Sequence, residues 1–151
     1  MAWVDEGAST SAQLWSRESQ DELHHTVTCD SAVLALAVDN VRGRMLVGTQ
    51  QGDIRVWNLH TFQVQADLVG HHSSVLSLVL SDDYVFSASS DSTVRVWDAE
   101  TLQPRACVFP ASTNTGDIYS LAWDAEAQVL YFGCQDTSIE WISIDASASA
   151  R

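Results

Sequence analysis

A recurring unit of about 42 residues constrains this 151-residue chain more than any other feature. Residues 31–38, 45–49 and 54–58 form a first line of short apolar runs. Residues 73–80, 85–89 and 94–98 form a second, and 116–123, 130–134 and 139–143 a third. Successive lines begin 42 and 43 residues apart. The runs are rich in Val, Leu, Ile and aromatics and are bounded by Asp, Gly, Ser or Asn, the composition of strands and turns. A fourth run fits between the lines. Residues 62–68 alternate apolar and polar as a half-buried strand does. Residues 105–109 hold the same place later and are closed by Pro110, and 23–29 precede the first line as their counterpart. Four strands per unit, three times over, predict an all-β array of four-stranded antiparallel sheets. No segment carries a helical period.

The units run over about 21–60, 61–100 and 101–143. Residues 1–20 are rich in Ser, Ala, Gln and Glu and read as a flexible N-terminal tail, in which Trp3 and Trp15 are out of place. The low-complexity stretch 144–151 reads as a frayed C-terminus.

Composition removes several function classes. The formal charge is −13, and all seven cations are arginines. So sparse a cation set excludes nucleic-acid backbone binding and a polybasic membrane contact. Without lysine there is no Walker-type phosphate loop and no Schiff-base chemistry. No apolar run approaches the ~20 residues that span a bilayer. Asp5 and Glu6 stand where a secretory signal carries positive charge, so a cytoplasmic location is expected. Cys29, Cys107 and Cys134 lack Cys-x-x-Cys spacing and read as buried, reduced thiols in strands.

Gly70-His71 ahead of the second line and Trp97-Asp98 closing it, at this period, resemble the WD-repeat β-propeller family. The resemblance covers about 21–143. It implies that His71, Ser87, Asp91 and Trp97 form the family's structural tetrad, a chain of side-chain hydrogen bonds within one blade. The types suit that use: indole N–H only donates, hydroxyl does both, imidazole bridges and carboxylate only accepts. The same residue types build a hydrolase triad, but Ser87 lies in no Gly-x-Ser-x-Gly elbow, so no catalytic residue is assigned. The outer units hold partial tetrads. The first keeps Trp57 but has Cys29, Val47 and Gln51 at the other positions. The third keeps Asp136 but has Asn114, Phe132 and Ile142, with Trp141 one residue out of register. His24-His25 and His71-His72 are poor metal pairs, because neighbours on a strand face opposite ways. No metal or cofactor is expected. Asp82-Asp83 reads as turn chemistry. Arg55 and Arg95, at equivalent places on expected exposed faces, are candidates for partner contact.

The stretch Thr113-Asn-Thr-Gly-Asp-Ile-Tyr-Ser-Leu-Ala-Trp123, with residues 130–141, 74–78 and 48–51, is similar to a narrower fungal family. These are the WD-repeat-bearing subunits of the cytosolic glutathione-degrading peptidase complex. The resemblance implies protein partners, among them a glutamine-amidotransferase-like subunit. It also implies a dinuclear-zinc peptidase domain, of which this chain has neither a His-x-Asp element nor a two-zinc ligand cluster. A non-catalytic interaction scaffold is therefore expected, with no enzyme activity of its own. The alternatives are a general WD-repeat adaptor unrelated to peptidases, or a truncated gene product. Three blades fall short of the roughly four that close the smallest propeller. An incomplete ring is expected, with self-association as one way to cover its open edges.

Overall fold

Alternation along the strands determines how the sheets stack. The computed structural model describes residues 2–3, 11–15, 23–110 and 116–144. Among these, fourteen strands form four antiparallel sheets. The first sheet is β1 (Ala2–Trp3), β2 (Ser11–Trp15) and β3 (Leu23–Thr28), in that order. The second runs in order β4 (Val33–Asp39), β5 (Arg44–Thr49), β6 (Ile54–Asn58) and β7 (Val64–Leu68). The third is β8 (Val75–Leu80), β9 (Tyr84–Ser89), β10 (Val94–Asp98) and β11 (Pro104–Val108). The fourth is β12 (Ile118–Asp124), β13 (Val129–Cys134) and β14 (Ile139–Ser143).

The sequence unit and the sheet are out of phase by one strand. Each unit supplies its first strand to the outer edge of the preceding sheet and its next three to a new one. The second and third sheets therefore have four strands. The fourth has three described strands, lacking a counterpart of β7 and β11. At the other end β3 finds partners in β1 and β2.

That pairing corrects the reading of residues 1–20 as a tail, since it contains two strands. The composition has weak strand preference, and pairing with residues 23–28 overrides it. A signal was available. Trp15 precedes Trp57 by the same period of 42 residues. The β2–β3 ladder is offset at Trp15, where β6–β7 is offset at Trp57 and β10–β11 at Trp97. A second bulge recurs at Leu34, Leu76 and Tyr119 in the innermost ladders. The frayed C-terminus and Asn114 lie outside the described residues, except that Ile144 donates its N–H to the Gln128 carbonyl.

Three apolar layers fill the gaps between sheets. Val27 and Cys29 pack on Val33, Met45 and Val47. Leu46, Ile54 and Val56 pack on Val75, Val85 and Trp97. Phe86, Val94 and Val96 pack on Ile118, Leu130 and Phe132. Successive residues of one strand thus serve successive layers, as the two-residue strand period requires. This is why β5 is buried along its whole length. Phe86 also stacks on Trp123, with ring centroids 4.9 Å apart.

The turns repeat as the strands do. Gly52, Ser92 and Thr137 occupy one position between the second and third strands of their sheets, with φ of 99°, 64° and 71°. At Gly52 a Cβ would also lie 2.9 Å from the carbonyl oxygens of His71 and Ser73. Asn58 and Asp98 each accept two backbone N–H groups, of residues 60–61 and 100–101. The bonds from Thr101 and Arg105 hold the Asp98 carboxyl well below the usual range. A polar clamp joins the second and third sheets. Arg44 and Asp39, both buried, pair at 3.0 Å, and Arg44 also donates to the Ala99 carbonyl. Arg42 reaches Glu100 and the Asp82 carbonyl from the same side.

Candidate functional site

The third sheet brings its four polar candidates into one chain. Trp97 on β10 donates its Nε1–H to Ser87 Oγ at 2.9 Å. Ser87 on β9 lies 2.8 Å from His71 Nε2, and His71 Nδ1 lies 3.0 Å from Asp91 Oδ2. The donor inventory sets the proton positions. Because Trp97 can only donate, the Ser87 hydroxyl hydrogen goes to His71 Nε2, and the imidazole proton sits on Nδ1 and goes to Asp91. Asp91 is saturated: it also accepts from the backbone of His72 and from Thr93 N and Oγ1. Burial pushes the His71 pKa down, so the ring stays neutral. Burial alone would raise Asp91, but the bonds from Thr93, His72 and His71 hold it below its ordinary value.

This geometry is structural. Ser87 is fully buried, so no substrate reaches its Oγ. Both ring nitrogens of His71 are engaged, which leaves none for a metal, and His72 turns its Nδ1 to the Gly70 carbonyl. Gly70 has its own reason. A Cβ there would lie 2.8 Å from Arg95 Nη1 and 3.1 Å from Trp97 Cη2, so the indole and guanidinium pack directly on the bare backbone.

The outer counterparts are apolar. In the second sheet Val47 replaces the serine and Cys29 the histidine, both buried, while Gln51 is exposed. Trp57 keeps its place, but its buried Nε1 has no partner. In the fourth sheet Phe132 is buried and Ile142 packs beside it. Asp136 is exposed, at the turn, where it accepts from Ser138 N and Oγ as Asp91 does from Thr93.

The two arginines do not lie on exposed faces. Ladder register puts Arg55 beside Trp57 and Arg95 beside Trp97, on the faces turned to the preceding sheet, and both are half-buried. Arg55 is paired with Asp67 at 2.9 Å and Asp30 at 3.2 Å. At the corresponding ladder position Arg95 faces Cys107 instead of an acid, and its buried Nε has no partner. Cys107 is exposed because β11 is an edge strand, against the expectation of three buried thiols; Cys29 and Cys134 are buried. Asp82 and Asp83 form the β8–β9 turn and line, with Tyr84, Trp123 and Gln128, a groove of about 340 Å³.

The outer face of the fourth sheet was not singled out by the sequence. Tyr131, Ile139 and Trp141 are 39%, 71% and 67% exposed. Ladder register makes them the counterparts of Phe86, Val94 and Val96, and of Leu46, Ile54 and Val56. Those six are between 0% and 3% exposed, because the next sheet covers them. The one-residue displacement of Trp141 thus puts it on this stacking face, and the four sheets form an open arc.

Comparisons with known proteins agree with this architecture. Residues 62–98 match the family described as WD domain, G-beta repeat. Rice zinc finger CCCH domain-containing protein 17 is 37% identical over 118 residues, which is 76% of this chain and 26% of that protein. The probable di- and tripeptidase DUG2 of Saccharomyces cerevisiae is 29% identical over 139 residues, covering 80% of this chain and 16% of DUG2. The chain thus spans about a quarter or less of these relatives. The crystal structure of the WD40 β-propeller domain of Doa1 superposes with a TM-score of 0.80 at 23% identity, over 95% of this chain and 47% of that domain. Residues 62–98 match a WD repeat, and the chain as a whole has the fold of consecutive β-propeller sheets.

Proposed function

We propose that this chain is the interaction scaffold of a peptidase complex that degrades glutathione in the cytoplasm. WD40 propeller sheets generally mediate protein–protein contact and are generally non-catalytic. The tetrad fits that use, because its hydroxyl and imidazole are sealed inside the sheet where they stiffen it. The observation that carries the peptidase reading is the similarity to DUG2, which extends over 80% of this chain, well beyond the single matched repeat. On this reading the chain contributes assembly, and the hydrolytic residues belong to a zinc peptidase domain and to an amidotransferase-like partner. The higher identity to the rice CCCH protein favours a second reading, a general WD-repeat adaptor.

Affinity capture of the tagged chain from a fungal cytosol separates the two. The peptidase reading expects co-purification of an amidotransferase-like subunit together with glutathione-degrading activity. Capture of other proteins with no such activity refutes it. The purified chain alone is expected to release no product from glutathione or dipeptides with added zinc or manganese, and measurable turnover overturns the scaffold assignment.

A further inference from the structure

We infer that the groove between the third and fourth sheets receives an arginine side chain presented by a protein partner. The inference rests on the scaffold reading and deepens it, naming a docking point and the side-chain chemistry that fits it. The neighbouring junction shows what belongs there. Between the second and third sheets the same place is crossed by two guanidinium groups of the chain itself. Arg42 donates to the Asp82 carbonyl at 2.8 Å and to the Glu100 carboxylate at 3.0 Å, and Arg44 donates to the Ala99 carbonyl. Both arginines stand at the β4–β5 turn, where four residues separate Asp39 from Arg44. Ladder register makes Ser81 and Tyr84 their counterparts in the third sheet. Two residues separate that pair, and the shorter turn holds no arginine to send to the fourth sheet. In its place is the groove of about 340 Å³. Ala125 lines its far side, and Ala125 is the counterpart of Asp82, whose carbonyl Arg42 reaches at the junction before.

The lining suits the missing group. Tyr84 and Trp123 both pack against the buried Phe86, with ring centroids 5.9 and 4.9 Å from it, so the aromatic surface is preformed. A planar guanidinium packs on such rings, drawn by their negative faces. Asp82 and Asp83 are exposed at the same groove, and among the described residues neither carboxylate has an ion-pair partner. Charge complementarity therefore selects a cation. A metal ion does not fit, because it needs more oxygen ligands than two carboxylates beside aromatic rings offer. Among the described residues no group of three metal-ligating side chains occurs. Guanidinium fits better than ammonium, because its fork bonds a carboxylate through two N–H groups while its face lies on an aromatic ring.

Nuclear magnetic resonance of the isotope-labelled chain, titrated with N-acetyl-arginine amide, tests this directly. The Trp123 indole signal, identified by its loss in Trp123→Phe, is expected to shift saturably together with the amides of residues 81–84 and 125–128. The indole signals of Trp57 and Trp97 are expected to stay in place, since both side chains lie at other junctions. N-acetyl-lysine amide is expected to bind more weakly, and N-acetyl-citrulline amide, which keeps the shape and loses the charge, about tenfold more weakly. Asp82→Asn combined with Asp83→Asn is expected to weaken binding about threefold or more. Both acids are exposed, so a denaturation midpoint no lower than the parent's confirms that the fold is kept. Free arginine separates a partner's side chain from a free metabolite. Its own carboxylate meets Asp82 and Asp83, so it is expected to bind more weakly than the capped form, and tighter binding overturns the partner assignment. Shifts scattered over every acidic turn of this −13 chain overturn the site. So does an equal response to lysine or citrulline, or a titration indifferent to the two asparagines. The titration uses a small probe and the capture experiment a cell extract, so the two readings fail separately.

Discussion

Removing one oxygen atom from the third sheet tests the hydrogen-bonded chain most directly. In Ser87→Ala the Trp97 Nε1–H loses its acceptor and His71 Nε2 loses its donor, both inside a sheet from which water is excluded. Each stranded buried group costs about 1–3 kcal/mol, and the two together should cost about 2–4 kcal/mol after partial relaxation. The second sheet shows that a loss of this kind is survivable. There Val47 stands in the serine position and the Trp57 Nε1 is already unpartnered, so that sheet tolerates an orphaned indole. The assay is guanidinium unfolding followed by tryptophan fluorescence, with the slope checked so that a shifted midpoint reports stability. A double-mutant cycle with Trp97→Phe isolates the pair. In the Trp97→Phe background the serine change strands only His71, and its cost should fall by about 1 kcal/mol. An unchanged Ser87→Ala midpoint, or a cycle additive to within about 0.3 kcal/mol, would show that the distances reflect proximity without energetic coupling.

Acid should destabilise the fold through His71. Its folded pKa lies below the ordinary 6.5, so as pH falls past 6.5 the unfolded chain takes up a proton that the folded chain refuses. Stability should therefore drop between pH 7 and 5 and flatten in His71→Gln, and an identical slope in the variant refutes the buried neutral ring. Asp91 acts further down, its lowered pKa removing stability as pH falls below 3.8. The shared turn position predicts opposite signs. Thr137→Gly should stabilise by up to about 1 kcal/mol by relieving a left-handed β-branched residue, whereas Gly52→Ala should destabilise by about 2 kcal/mol, both read as shifts in denaturation midpoint. Asp39→Ala leaves the Arg44 guanidinium buried without its carboxylate and should cost about 3 kcal/mol, and a smaller loss than an exposed pair such as Arg105–Asp98 would refute the clamp.

All three lines of the repeat were legible because strand and turn signals are local. Every run assigned to β4–β14 has a strand beneath it, and the WD-type spacing picked out the four residues that the third sheet joins. In the first sheet β3 was read from residues 23–29, but β1 and β2 were missed because Ser, Ala and Gln carry little strand preference and Trp15 was left in the tail. Arg55 and Arg95 were placed on exposed faces because charge suggests solvent. Whether a strand face meets water depends on the neighbouring sheet, which no local pattern contains.

By itself the sequence determined the all-β repeat and its period, because these depend on residue types at short, fixed separations, and the resemblance to the WD-repeat family supplied the four residues of the polar chain. Only the tertiary structure decided the rest. It shifted the sheets one strand out of phase with the repeat and recruited the N-terminal residues into a sheet. It also left Tyr131, Ile139 and Trp141 uncovered while their six counterparts are buried. The physical reason is that burial is a property of what stacks on a strand, and the same apolar residue is core or surface according to whether another sheet follows.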